Sequence, residues 1–358
     1  MATLPEITKT MDDQFVNTWY EIRKTVVDNV LNATVFTLAL KNYGCMKTQV
    51  GGEFGWTSTI GYGDKDVSLQ YFQRGSTLTQ KPVRLDTMGY LDWRYFLVDI
   101  NRTFVDDETN SGPNKIKDYL ARRLEGARNG LIQGIEAELF RYGAYGAPNN
   151  KSLRQMNGLW DIVAPQTAIS MGGAASMDTQ TSGNSNGNIN RTNSWWRNWV
   201  AYSGGSFDAD AKTCATHAPF SLNLLPDMTT MFNSITANQE APNLILCGQD
   251  IYEAYEDEAR DKMQIVRNGF GKQAADLGFD TQTFKGATMS YSSHMPSKTL
   301  VMLNLNYIDW NYNPNVWFDM TNWKETPNQL ERVAYIVCMT PGLATSQPRR
   351  HGCMVWAS

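Results

Sequence analysis

Seven apolar residues, Ile116, Leu120, Leu124, Ala127, Leu131, Ile135 and Leu139, follow one another at spacings of four, four, three, four, four and four. That period keeps one face of an α-helix apolar for about six turns. Gly112-Pro113 marks the start, because proline at the first helical position gives up only an N–H that has no partner there. The pattern runs out near Tyr142-Gly143, so a helix is expected over 113–142. At 1.5 Å per residue it would be about 45 Å long, more than twice the usual length. A helix of that length runs along a whole domain, and the other elements must be arranged around it.

The flanking sequence changes period. Upstream, Phe15, Trp19, Ile22, Val26 and Val30 share one face of a helical segment that Asp12 or Asp13 can cap and Gly44 stops. Between Cys45 and about Ile100 the period shifts towards two, in Val67, Leu69 and Tyr71 and again in Leu91, Trp93, Tyr95 and Leu97. Glycines 51, 52, 55, 61, 63 and 75 punctuate this stretch, which reads as long β-hairpin arms with a tip at Gly61-Tyr62-Gly63-Asp64. A hairpin alone is marginal in water. The segment from Gly51 to Arg84 is therefore expected to gain order on a neighbour, with Phe54, Trp56 and Phe72 buried at assembly. Downstream, residues 166–215 are rich in Gly, Ser and Asn but carry Trp195, Trp196 and Trp199. A structureless loop of that length is uncommon in a compact domain, so part of it should pack. Helices are expected at Pro226–Asn238 and after Asp250, which can cap a helix carrying Ile251, Tyr255 and Ala259. Strands are expected at Asn243–Cys247, Thr283–Tyr291, Thr299–Ile308 and Glu331–Met339. Helices and strands are grouped rather than alternating, which makes the chain α+β.

Composition narrows the function. Lys and Arg number 32 against 36 Asp and Glu, a formal charge of −4, whereas a dedicated nucleic-acid binder shows a basic excess and a basic stripe. Base stacking by Tyr71-Phe72, Arg74 or the tryptophans near 195 is set aside for the same reason. Charged residues make up 19% and aromatics 11% of the 358 residues, which excludes disorder and suits a chain that buries surface against partners. Five cysteines (45, 214, 247, 338, 353) form no close pair and read as buried thiols of a reducing compartment. No apolar run approaches the roughly 20 residues of a membrane span. The start, Met1 to Asp13, carries three acids and reads as neither a signal peptide nor a cleaved leader.

No reaction emerges. His217, His294 and His351 lack a neighbouring acid or cysteine at ligand spacing. Ser293-His294 stands before Pro296 without a GxSxG elbow, and reads as a turn. Gly269-Phe270-Gly271-Lys272 is followed by Gln273 and preceded by Val266, so it lacks both the hydroxyl and the first glycine of a phosphate loop. Gly61-Tyr62-Gly63 has Asp66 where a dinucleotide fingerprint needs its third glycine. Asp106-Asp107-Glu108 and Asp257-Glu258 read as solvated acidic turns and faces. No catalytic residue, cofactor or metal ligand is assigned, and the chain is not expected to be an enzyme.

Read in order, several motifs resemble one family of tailed-bacteriophage major capsid proteins, with the fold named after phage Hong Kong 97. They are Phe140-Arg141-Tyr142-Gly143, then Asn157-Gly158-Leu159-Trp160 opening a short strand. Ile189-Asn190-Arg191 and Asn193-Ser194-Trp195-Trp196-Arg197-Asn198 follow, then Pro242 to Cys247 before Ile251-Tyr252. Leu277-Gly278-Phe279, Phe284-Lys285-Gly286-Ala287, Met302 to Ile308 and Arg349-Arg350-His351-Gly352 complete the series. The resemblance implies an N-terminal arm (1–45), a β-hairpin extended loop (46–100) and a peripheral domain with a spine helix (101–165). It also implies an axial α/β domain (166–324, with a polar insertion at 166–215) and returning strands (325–358). Its function would be self-assembly into hexamers and pentamers of a phage head around double-stranded DNA, with no cofactor and no membrane. Portal, scaffold and decoration proteins would be its partners, the virion its destination and the host bacterial cytoplasm its place of assembly. The residues expected at subunit contacts are Trp19, Phe54, Trp56, Tyr62, Phe72, Trp195 and Trp196. Lys65 and Lys81 are loop lysines without a marked partner asparagine, so no covalent cross-link is expected. A cellular nanocompartment of the same fold, or a glycan-binding or hydrolase module using the tryptophan-rich region, are the alternatives.

Overall fold

The computed structural model describes residues 34–59, 73–75, 77, 86–103, 113–140, 156–163, 189, 196–202, 224–236, 240–262, 282–327 and 331–355. The segment carrying Phe15 to Val30 and most of 166–215 lie outside them. The first described helix, α1 (Val35–Asn42), is buried on every side from Val35 to Leu40. It ends at Gly44, whose φ of +70° suits glycine. Strands β1 (Met46–Thr48), β2 (Phe54–Thr59), β3 (Asp86–Leu91) and β4 (Arg94–Thr103) follow.

The long helix, α2, spans Pro113–Leu139 and opens on its proline. The last four members of its apolar stripe, Ala127, Leu131, Ile135 and Leu139, are buried. Its C-terminal end is closed from another part of the chain. The Trp160 indole donates to the Phe140 carbonyl at 2.9 Å, one of the acceptors a helix end leaves without an internal partner. Gly158 lies so close that a Cβ there would stand 2.6 Å from the Leu139 oxygen. The Asn157-Gly158-Leu159-Trp160 motif does not open a strand. Asn157 makes a single bridge to Gly342, and a one-turn helix, α3 (Leu159–Ile162), follows. Leu159, Trp160 and Ile162 are all buried, and a helical turn lets the backbone satisfy itself while they enter the core.

The remaining elements are β5 (Trp199–Tyr202), α4 (Leu224–Ile235), β6 (Leu244–Cys247), α5 (Gln249–Lys262), β7 (Gln282–Phe284), β8 (Ala287–Tyr291) and β9 (Thr299–Leu303). They continue with β10 (Ile308–Tyr312), β11 (Asp319–Met320), β12 (Lys324–Glu325), β13 (Glu331–Thr340), β14 (Gly342–Thr345) and β15 (Gly352–Val355). Two expected strands are divided. Residues 283–291 form a β7–β8 hairpin because Lys285 and Gly286 take φ of 48° and 89°, the positive values of a tight hairpin turn. Residues 299–308 break after β9, where the Asn304 side chain accepts from the Asn306 N–H and starts a 3-10 turn over Leu305–Tyr307.

Six strands make one sheet in the order β5-β15-β9-β6-β8-β7. Strands β6 and β9 are buried at every residue, as expected where both faces are covered. Ile245, Cys247, Leu300, Met302 and Met354 face one core with α4 and α5. Leu244, Leu246, Val301, Leu303 and Cys353 face the other, which holds α1, α3 and the buried stripe of α2. In the second sheet β13 pairs with β4 along ten residues, from Glu331↔Thr103 to Thr340↔Arg94, and with β11 and β12 on its other side. Strands β1, β10 and β14 form a third sheet, and β2 and β3 pair only with each other among the described residues.

Candidate functional site

The β2–β3 ribbon is built from complementary aromatic and glycine positions. Trp56 stands opposite Gly89 and Tyr90 opposite Gly55. A Cβ on Gly89 would meet the Trp56 ring at 2.8 Å, and one on Gly55 would meet Tyr90 at 3.3 Å. Paired residues share a face, so the ribbon has two different sides. Phe54, Trp56, Ser58 and Gly89 form the covered side, and Phe54 stacks on Trp56 with ring centroids 5.3 Å apart. Trp56 donates its indole N–H to the Thr345 carbonyl at 2.8 Å, and Trp93 donates to the Gly52 carbonyl. The other side carries Tyr90 and Met88, exposed at 40% and 54%.

This corrects part of the expected contact set. Phe54 is 5% exposed and Trp196 fully buried in the single subunit, so neither ring has surface left to bury against a neighbour. Trp56 is half-buried and tied to its own subunit through Thr345, so the root of the hairpin belongs to the subunit that carries it. Trp19, Tyr62, Phe72, Trp195, Lys65, Lys81 and the hairpin tip lie outside the described residues.

Two exposed apolar residues that sequence reasoning placed in a strand but not at a contact lie in β4. Leu91, Trp93, Tyr95 and Leu97 do not form one face, because the chain leaves regular strand geometry at Asp92-Trp93. Beyond that break Phe96 and Val98 pack on the core, while Tyr95 and Leu97 are exposed at 62% and 55%. The signal was the run Tyr95-Phe96-Leu97-Val98, apolar on both faces of a single strand. Beside it runs a groove of about 290 Å³, walled by residues 94–98, by Gly130, Leu131, Gly134, Ile135 and Glu138 of α2, and by Met156.

The buried polar groups serve the fold. His351 is fully buried. Its Nδ1 accepts from the Asn304 N–H at 3.3 Å, which leaves Nε2 to donate to Thr345 Oγ1 at 3.0 Å. Burial, helped by the neighbouring Arg350 charge, pushes its pKa down to about 3. Ser292 Oγ donates to Glu136 at 2.9 Å and ties α2 to the turn that carries His294. Burial raises the Glu136 carboxyl above its ordinary range, with the Ser292 bond and His294 opposing. Arg350 pairs with Glu240 at 3.1 Å beneath Tyr307. Cys45, Cys247, Cys338 and Cys353 are buried free thiols. Burial pushes Cys45 up to about 12, with Asp309 adding to the rise, and raises Cys247 and Cys353 further, so all three stay protonated and unreactive. Among the described residues no three His, Cys, Asp or Glu side chains could hold a metal ion, and no helix is long and apolar enough to cross a membrane.

Comparison with known proteins places these uncovered apolar strands in a family. The SU10 major capsid protein family model matches residues 104–354. A search of curated proteins finds no match. Among solved structures, the cyanophage A-1(L) capsid superposes with a TM-score of 0.55 at 14% identity, covering 87% of this chain and 89% of that one. The capsid of the native GTA particle gives 0.51 at 10% identity, covering 89% and 90%. The capsid of Myoviridae phage XM1 gives 0.50 at 7% identity, covering 88% and 91%. At these identities the likeness is one of fold.

Proposed function

The chain belongs to the SU10 major capsid protein family, and from that membership we propose that copies of it tile into hexamers and pentamers of a closed phage head around double-stranded DNA. The observation that carries this reading is the concentration of exposed large apolar side chains, Met88, Tyr90, Tyr95 and Leu97, within two consecutive strands. Exposed large apolar side chains gathered in neighbouring segments mark surface that a partner covers. At 40–62% exposure each of these side chains stands to gain roughly half of the 1.5–3 kcal/mol of full burial if covered by a neighbour, and permanent interfaces of this sort exceed about 2,000 Å².

In the Hong Kong 97 arrangement, residues 1–45 would be an arm reaching a neighbour and 46–100 an extended loop lying across one. Helix α2 would be the spine of a peripheral domain (101–165), residues 166–324 an axial domain meeting its copies at the capsomer centre, and 325–358 the strands returning between them. The formal charge of −4 suits a lining that does not hold a packaged polyanion tightly. Portal, scaffold and decoration proteins would complete the virion, assembled in the host bacterial cytoplasm. Electron microscopy of the purified chain, with nuclease treatment of particles from infected cells, tests the reading. Closed shells and nuclease-protected double-stranded DNA are expected. Monomers only, or shells holding an enzyme in place of a genome, would overturn it.

A further inference from the structure

We infer that the edge of β4 opposite β13, which no other described strand pairs with, is together with the glycine-lined side of α2 a slot for an extended strand of a second copy of this chain. The inference rests on the shell-forming function proposed above and assigns part of that assembly to particular residues.

One wall of the groove is formed by five consecutive residues, Arg94 to Val98. Successive side chains of a strand point to opposite faces, so a wall made of consecutive residues is the edge of the strand and not a face. Strand β13 occupies the other edge of β4 along its whole length, and among the described residues no strand pairs with this one. Such an edge offers a row of backbone donors and acceptors, and proteins that keep one unpaired blunt it with charge, proline or a bulge. Arg94 puts one charge at the end of the wall, and Tyr95-Phe96-Leu97-Val98 beyond it carries no such device. The edge is shaped for pairing.

The opposite wall points the same way. Gly130 and Gly134 of α2 line the groove, both in an exposed part of the helix. A Cβ at either position would meet nothing within 4 Å in the same subunit. Glycine is a poor helix former, and here no contact within the subunit requires it. What it provides is an open channel beside the β4 edge, floored by the buried Leu131 and Ile135. An extended backbone lying there gains main-chain hydrogen bonds from β4, while its side chains meet Tyr95 and Leu97. The occupant is a second copy because a capsid subunit of this family is surrounded by its own copies. The chain also carries a thin extended element with an uncovered apolar side, the β2–β3 ribbon with Met88 and Tyr90.

The test fills the channel without touching the core. In Gly130→Leu/Gly134→Leu the helix propensity rises and each new Cβ enters open space, so the far-UV spectrum should persist and the melting temperature should not fall. Particle yield under conditions where the wild type closes shells should drop about tenfold or more, as for the loss of one good contact. Hydrogen exchange supplies a second readout: those amides between Tyr95 and Asn101 that do not bond to β13 should exchange fast in dissociated subunits and slowly in wild-type shells. Wild-type shell yield from the folded variant would overturn the inference. So would slow exchange already present in dissociated subunits, which would place a segment of the same subunit in the slot. Normal shells that lose only a second bound protein would overturn it in favour of that protein. A wild type that forms no shells would instead refute the proposed function itself.

Discussion

At the scale of single residues, His351 links the fold to acidity. Its folded-state pKa of about 3 lies below the unfolded value of about 6.5. Stability is therefore complete above about pH 6.5 and declines as pH falls towards 3, because only the unfolded chain binds the proton in that window. The loss should approach about 1.4 kcal/mol per pH unit. Denaturant titrations between pH 7 and 4 should show that slope in the wild type and a shallower one in His351→Gln; equal slopes would refute the assignment. Two glycines make a matched pair. Gly286 (φ +89°) has open space around it, whereas a Cβ on Gly342 (φ +93°) would stand 2.3 Å from the Asn157 oxygen. Gly286→Ala should cost about 1–2 kcal/mol, the left-handed strain alone. Gly342→Ala should cost well beyond that, read as the difference between the two melting temperatures. Some of this scale was legible in advance. Four of the five cysteines, at 45, 247, 338 and 353, are the buried free thiols their spacing implied. The role of His351 was not legible, because Asn304, which selects its tautomer, lies 47 residues away.

At the scale of elements, what could be read was what is local. The stripe on α2 and the proline at its start are properties of neighbouring turns; the proline opens the helix, and the described members of the stripe, Ala127 to Leu139, are buried. Leu131, 1% exposed, sits within that stripe. Leu131→Asp should cost on the order of 3–5 kcal/mol or force the new carboxyl to stay protonated, and soluble protein of wild-type stability would contradict the packing described. What could not be read depends on partners distant in sequence. The closure of α2 by Trp160 requires the chain to return after Phe140. The facing of the ribbon depends on Trp56 finding the carbonyl of Thr345, and no period in residues 51–84 encodes that. Tyr95 and Leu97 were legible as strand residues but not as exposed ones, since both sides of that run are apolar and only the fold decides which is covered.

At the scale of the whole molecule, the collinear motifs anticipated the family, while sheet order was invisible because pairings such as Glu331↔Thr103 join distant segments. The last described strand, β15, lies inside the six-stranded sheet, between β5 and β9. Met231 and Ile235 of α4 approach Gly352 so closely that a Cβ there would stand 2.7 and 2.5 Å from them. A chain stopped after Arg350 should therefore leave two strand edges and the underside of α4 bare. Limited proteolysis should cut that chain throughout residues 224–303 under conditions the full chain survives; equal resistance would show the strand to be dispensable. A strand held between two others cannot slip out without baring both, so this sheet should open as one cooperative unit and not fray strand by strand.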